Sequence, residues 1–446
     1  MEEKATYLSK DIVPMEALNG SIFLYRSWSG KTLGERHKSF NDFIDLKKIN
    51  GVHSYQRTLT TKVNPIIKIA HTWADEDKDC LNFGSQDYLG LGNHAEIKKT
   101  AHETIDKYGL NAGGSPVLSG KNSSTLKLER KIAEILGTGQ TLLFSSGWMA
   151  CFGAVVGLVS HKDTIVMDMF SHNSLDVGAK YATDKVYKFK HNSVEDLEKK
   201  LERARKDNPS NGLFVIIESL YSMNADSPDV GAMLALVEKY EAIMIIDICH
   251  DFGNLGTEGL GALENSGYGK YLDRLVIVGS LSKTLVTTGG FISGPRCIRT
   301  QLEGFAPSYT FATAISPLNC EVAHKALEIC FSEEGKQLRD SLKSKAIYAI
   351  DILNKAGFIT SGVPCAIVPV LIGDVRLARL VSRDVSINGL SANLVEFPAV
   401  PIEKSLIRLQ LMENIPRENI AMAVEILSNS IKASQTILID SQINAI

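Results

Sequence analysis

Lys283 lies in Gly279-Ser280-Leu281-Ser282-Lys283-Thr284, directly after the apolar run Leu275-Val276-Ile277-Val278. Such a run of branched aliphatics reads as a strand buried on both faces. A lysine at the mouth of that strand, among small hydroxyl residues, is unusually placed, because an unpaired ammonium is expensive to bury. Partial desolvation lowers a lysine's pKa and makes it a usable amine nucleophile. A Schiff-base lysine needs this, including one that holds pyridoxal 5′-phosphate (PLP). The plain alternative is a solvated lysine in a Gly/Ser loop, and this segment alone leaves both open.

Other polar residues stand at the ends of other apolar runs. Leu213-Phe214-Val215-Ile216-Ile217 ends in Glu218, with Ser222 following in Ser219-Leu220-Tyr221-Ser222-Met223. Ala242-Ile243-Met244-Ile245-Ile246 ends in Asp247, with His250 three residues on. Thr164-Ile165-Val166-Met167-Asp168 precedes His172 in Ser171-His172-Asn173-Ser174, and Thr141-Leu142-Leu143-Phe144 precedes Ser145-Ser146-Gly147-Trp148. One polar residue after an apolar run is commonplace, but several strands delivering polar groups to one edge make a candidate site. PLP chemistry gives each a role. Asp247 suits the pyridine nitrogen, which a carboxylate keeps protonated so that the ring acts as an electron sink. His250 suits the phenolate oxygen, His172 the ring face, and the N–H groups of Ser146-Gly147-Trp148 at a helix start suit the phosphate. Taken singly, a structural histidine or a simple helix cap explains each of these equally well.

The elements that must position these groups alternate. Strands read at 141–144, 164–168, 213–218, 242–247 and 275–278. Helices read at 95–108, 124–136, from 147 to 159, at 194–205 and at 230–240. Strand–helix alternation implies a mostly parallel sheet with helices on both faces, whose carboxyl edge binds ligand. Residues 1–75 read as an N-terminal arm with a helix near 35–50, and 76–315 as a large domain. Residues 316–446 read as a smaller C-terminal α/β domain, with helices at 317–332, 335–357 and 417–431 and strands at 366–372 and 406–411. The fold class expected is therefore α/β.

The bulk numbers are those of a water-soluble globular chain: 446 residues, 44% hydrophobic, 22% charged and a formal net charge of −3. No basic excess points to nucleic acid, and no apolar run is long enough to span a bilayer. The start, Met1-Glu2-Glu3-Lys4-Ala5, lacks a signal-peptide layout. Seven scattered cysteines without a CxxC pair fit buried thiols in a reducing cytoplasm better than disulfides or a metal site.

In order, these pieces resemble the α-oxoamine synthases, PLP-dependent acyltransferases of fold type I. The matching text is Asp87-Tyr88-Leu89-Gly90-Leu91, Leu118-Ser119-Gly120, Ser146-Gly147, His172-Asn173-Ser174-Leu175, Glu218 through Ser222-Met223, Asp247 through His250, Gly253 with Gly256, and Ser282-Lys283. The resemblance spans about residues 78 to 430. It implies that Lys283 carries the cofactor and that Glu218, Ser222 and Ser280 contribute to its site. It also implies that Thr313 reaches the phosphate in a neighbouring subunit, hence a homodimer. Arg408 would bind the amino-acid carboxylate, and Gln86 stands where the family has a substrate-side asparagine. The chain departs from the pattern at Ile248-Cys249, where an acidic residue is missing, at Gly114-Ser115-Pro116, at Ser124-Thr125 and at Asn224-Ala225.

The activity so implied is decarboxylative condensation of a small α-amino acid with an acyl thioester, on coenzyme A or acyl carrier protein, giving an α-aminoketone. Lys283, Asp247, His172 and His250 would be its catalytic groups. The alternatives are another fold-type I activity, an aminotransferase or a carbon–carbon lyase, and a non-catalytic subunit of the same fold. Retention of Lys283, Asp247, His250 and His172 speaks against the last.

Overall fold

The computed structural model of the chain describes residues 12–71 and 77–443. The stretch Met1-Glu2-Glu3-Lys4-Ala5 and part of the expected arm therefore lie outside the described residues. Among those described, the strands in chain order are β1 Thr58–Leu59, β2 Ile66–Ala70, β3 Lys78–Phe83, β4 Gln140–Phe144, β5 Thr164–Asp168, β6 Val186–Phe189, β7 Leu213–Glu218, β8 Ile243–Asp247, β9 Leu275–Ser280, β10 Gly290–Gly294, β11 Ile367–Gly373, β12 Leu390–Val395 and β13 Ser405–Gln410. Contacts divide the chain into two compact units, one of Met1–Ser85, Met223–Ala225 and Leu342–Ile446, the other of Gln86–Ser222 and Asp226–Ser341.

The second unit is built on a sheet of order β4-β10-β9-β8-β7-β5-β6. From β9 to β6 all neighbours are parallel, and β10 runs antiparallel to both β9 and β4. Every residue of β5, β7, β9 and β10 is buried, which is why β5, β7 and β9 read as continuous apolar runs rather than alternating ones. The helices that flank the strands begin at side-chain caps: Asn122, Ser193 and Asp229 each accept N–H groups of the first turn. One helix, Gly147–Leu158, packs closely on the sheet because its buried residues are small: Ala150, Cys151, Gly153, Ala154, Val155 and Gly157. It shares a core with Leu142, Phe144, Ile165, Met167, Ile216, Ile245, Val276 and Ile292 of the strands.

The first unit carries a sheet of order β1-β2-β3-β12-β13-β11. Only the β3–β12 pair is parallel, with Leu81 opposite Leu390. Arg379 is its polar centre. The guanidinium is 2% exposed and grips Glu396 through Nε and Nη2 at 2.8 and 3.0 Å. It also donates to the carbonyls of Leu18, Asn19 and Gly20 at 2.6, 3.0 and 2.9 Å. A buried guanidinium is tolerable only when its donors are filled in this way. The last helix runs from Arg417 to Ile443, well past the expected 431. Buried serines hold the extension: Ser434 Oγ donates to Asp384 at 2.7 Å and Ser441 Oγ accepts the N–H of Val13 at 2.9 Å. Ile437 and Leu438 add apolar contacts to the cluster of Val13, Ala17, Leu18, Val52 and Leu380. No helix among the described residues is long and apolar enough to cross a membrane.

Candidate active site

The parallel strands of the second unit end together, and their ends carry the expected residues. Asp247 closes β8 and is 6% exposed. Its Oδ1 accepts the N–H of Cys249 at 2.8 Å, and its Oδ2 accepts the thiol of Cys151 at 3.3 Å. Glu218 closes β7, also buried, and its Oε1 accepts the backbone N–H of His172 at 2.6 Å. Burial, and next the negative charge of Asp247, push the Glu218 carboxyl well above the carboxylate range, against the pull of the His172 N–H and of Lys283. Two neighbouring buried carboxyls resist ionising together, which is the cause of the upward shift at Glu218.

His172 caps the helix Asn173–Ala182. Its Nδ1 accepts the N–H of Ser174 at 3.3 Å and lies 2.7 Å from the Ser174 hydroxyl. An accepting Nδ1 places the proton of the neutral ring on Nε2. Crowding by protein atoms lowers the His172 pKa; Asp247 opposes that and Lys283 adds to it. His172 and Glu218 thus feel both Asp247 and Lys283. Lys283 is half-buried in the connection from β9 to β10. That connection is pinned where Leu281 N–H donates to Gly289 and Asn254 donates both to the His250 carbonyl and to Thr284. His250 is buried and its Nδ1 lies 2.9 Å from the hydroxyl of Tyr88.

At the next strand end, Ser146 caps the helix Gly147–Leu158, its Oγ accepting the N–H of Met149 at 3.2 Å. The N–H groups of Gly147 and Trp148 precede the first intrahelical bond and point out of the helix start. Gly147 faces Ser280: a Cβ there would stand 2.8 Å from the Ser280 side chain. Gly290 is equally tight, since its Cβ would come within 2.5 Å of the Ser146 carbonyl. The Ser280 hydroxyl is 2.7 Å from that of Ser282. Trp148 is partly exposed, its ring stacked on Phe152 at 5.4 Å. A helix start whose Cα is bare, beside two hydroxyls, leaves space that could take a phosphate and that a side chain would fill.

The remaining expected residues lie elsewhere. Thr313 is exposed in a stretch bound to the Gly-rich loop, where Ala314 N–H donates to Gly114 and Ser115 Oγ donates to the Thr310 carbonyl at 2.7 Å. Gln86 is half-buried after β3, and Ser222 is buried after β7. Arg408 belongs to the first unit, on β13, with Nη1 at 3.7 Å from the Met223 sulfur.

Residues 78–427 match the family described as aminotransferase class I and II. A serine palmitoyltransferase of Sphingobacterium spiritivorum is 30% identical over 393 residues, 88% of this chain and 95% of that one. The chain belongs to the α-oxoamine synthases. An 8-amino-7-oxononanoate synthase of Thermosipho melanesiensis, in the same family, is 28% identical over 384 residues, 86% of this chain and 94% of its own. Among solved structures, a Sphingomonas wittichii serine palmitoyltransferase has a TM-score of 0.83 at 24% identity, covering 91% of this chain and 99% of that one. That likeness establishes the fold-type I architecture. The α-oxoamine synthases are PLP-dependent acyltransferases, and this chain is one of them. The residues described fit the cofactor: a bare helix start with free N–H groups and hydroxyls for a phosphate, a buried carboxylate for a ring nitrogen, and a half-buried amine directly after the last of those hydroxyls in sequence.

Three residues of this α-oxoamine synthase escaped the sequence reading of its site. Tyr88 was visible only as part of Asp87-Tyr88-Leu89-Gly90. Cys151 sits in a run of small apolar residues, where cysteine reads as filler. His191 bridges Asp168 Oδ1 at 2.9 Å and Asp226 Oδ2 at 3.0 Å, tying the stretch before His172 to the one after Ser222. Burial works against its charge, yet the hydrogen bonds to both carboxylates outweigh it and lift the pKa to about 9.

Proposed function

We propose that this α-oxoamine synthase condenses a small α-amino acid with an acyl thioester, releasing carbon dioxide, the free thiol of the acyl carrier and an α-aminoketone. The observation that carries the reading is the single sheet edge at which Asp247, Glu218, Lys283 and His172 share one electrostatic neighbourhood. Bound PLP supplies the electron sink that makes the amino acid's α-hydrogen acidic. Lys283 anchors the cofactor through its amine and, once displaced by the amino acid, takes the α-proton on Nζ. With the cofactor bound, Asp247 would hold the proton of the pyridine nitrogen, and His250, whose Nδ1 meets the Tyr88 hydroxyl, would hydrogen-bond the ring oxygen. Gly147, Trp148, Ser280 and Ser282 would hold the phosphate. His172 donates from Nε2 to the oxygen that becomes negative when the thioester carbonyl is attacked. Arg408 offers a planar fork to the substrate carboxylate, and Gln86 flanks the substrate.

The same reading makes the protein a homodimer in which Thr313 serves the neighbouring subunit's phosphate. Supporting it, Leu118 and Phe311 are 83% and 88% exposed on the laced segments beside Thr313. Apolar side chains so placed are normally covered by a partner. Seven scattered cysteines without a CxxC pair suit a reducing compartment, the cytoplasm. The test is a visible spectrum of the purified protein titrated with each common amino acid, followed by thioester-dependent carbon dioxide release. The reading expects a yellow protein whose band shifts with one or two amino acids. It also expects Lys283→Ala to abolish turnover while PLP still binds weakly. Full activity in Lys283→Ala, or amino-acid turnover that ignores thioester, would overturn it.

A further inference from the structure

The Asp247 carboxylate is held from two sides. The N–H of Cys249 fixes one oxygen and the thiol of Cys151 the other. Both cysteines are buried and unpaired, and their sulfurs and an Asp247 oxygen lie within 4.8 Å of one another. Cys151 belongs to the helix Gly147–Leu158, one turn beyond Gly147 and on the same face. A single rigid helix therefore presents free N–H groups at its start and a thiol donor one turn later. We infer that Cys151 is a positioning residue for the cofactor: its S–H fixes the orientation of Asp247, and through it the proton on the pyridine nitrogen. This rests on the reading of Asp247 given above.

A metal would use the same three groups differently. Two cysteines and a carboxylate are ligands of the kind zinc takes, but only as thiolates. Hydrogen bonding to Cys249, burial and the charge of Asp247 all push the Cys151 thiol well up, so it stays a donor. Both carboxylate oxygens are already accepting. The choice of sulfur also has a chemical sense. A thiol is a weak donor, so it restrains the carboxylate while leaving its negative charge available to the pyridinium. Alanine there would leave one oxygen unrestrained.

The test compares wild type, Cys151→Ala, Cys151→Ser and Asp247→Asn, each stripped of PLP and titrated with it across acid to neutral pH, with melting of the PLP-free proteins alongside. Cys151→Ala should weaken PLP binding about fivefold to tenfold, and serine, which keeps a donor, should restore it to within about twofold. The acid limb of the affinity profile should move to higher pH in Cys151→Ala, because a carboxylate that loses a donor protonates more readily. A purely structural role would lower the melting temperature and leave that limb in place, which would overturn the inference. Unchanged affinity in Cys151→Ala together with a large loss in Asp247→Asn would also overturn it while sparing the role of Asp247. Wild-type affinity in Asp247→Asn would sink both. One zinc bound per PLP-free chain, and lost in Cys151→Ala, would make the cysteines ligands instead.

Discussion

Raising the pH from about 6 to about 10 should remove about 1–2 kcal/mol of stability at His191 alone. The imidazole is clamped between Asp168 and Asp226 at 2.9 and 3.0 Å, with Phe170 and Tyr221 against its ring. Its folded pKa of about 9 stands above the ordinary 6.5. The folded protein therefore binds this proton more tightly than the unfolded chain does. The stabilisation is complete below the unfolded value and is lost as the pH climbs through 6.5 to 9. At about 1.4 kcal/mol per unit the full difference would approach about 3 kcal/mol; partial solvent access halves it or more. Tyrosines and lysines also begin to ionise near pH 10, so the quantity to measure is a difference. Urea unfolding of wild type and His191→Gln at a series of pH values isolates it. The stability gap should be widest at about pH 6 and shrink by about 1–2 kcal/mol by about pH 10. Parallel curves across that range would refute a charged His191, and a gap that widens would reverse the sign of the argument.

Arg379→Met should destabilise the first unit by about 3–5 kcal/mol, because Glu396 and three carbonyls lose their partner; a urea midpoint within error of wild type would contradict this. Adding Glu396→Gln should recover part of the loss. Gly147→Ala places a methyl 2.8 Å from the Ser280 side chain, and should weaken PLP about tenfold or more while lowering stability by about 1–3 kcal/mol. Cofactor titration with melting curves checks it, and wild-type behaviour in both would remove the cradle from the argument. Arg408→Ala should raise the KM for the amino acid about tenfold to a hundredfold with a smaller change in kcat; an unchanged KM would place the carboxylate elsewhere.

The strands that build the site were legible because burial on both faces writes itself as unbroken apolar text: Val276-Ile277-Val278 and Ile245-Ile246 have no other economical reading. The chemistry at their ends was legible for the same reason, since Asp247 and Glu218 interrupt that text abruptly. What sequence hid was whatever depends on distance along the chain. β10, Gly290–Gly294, is bracketed by glycines and gave no strand signal, yet it is buried throughout and pairs on both sides. β2 alternates cleanly, with Ile67 and Ile69 buried and Lys68 exposed, but five residues are too few to stand out. His191 meets Asp168 and Asp226 only because β6 and β7 flank β5 on either side. Arg379 gave no signal in the sequence, because the three carbonyls and Glu396 that surround it come together only on folding.

The one parallel pairing in the first unit, β3 with β12, sets a timetable for synthesis. Phe83 leaves the ribosome about 300 residues before its sheet partner Ala392, which at ~5–20 residues per second is a wait of roughly 15–60 seconds. Throughout that interval β3 has β2 on one side and an open row of amide groups on the other. Gln86–Ser222 and Asp226–Ser341 emerge and can collapse in the meantime, with the early strands held in suspense on the nascent chain. A translational pause or premature stop between the two strands would release a polypeptide with a finished nucleus and a bare sheet edge, the form of this protein most in need of a chaperone.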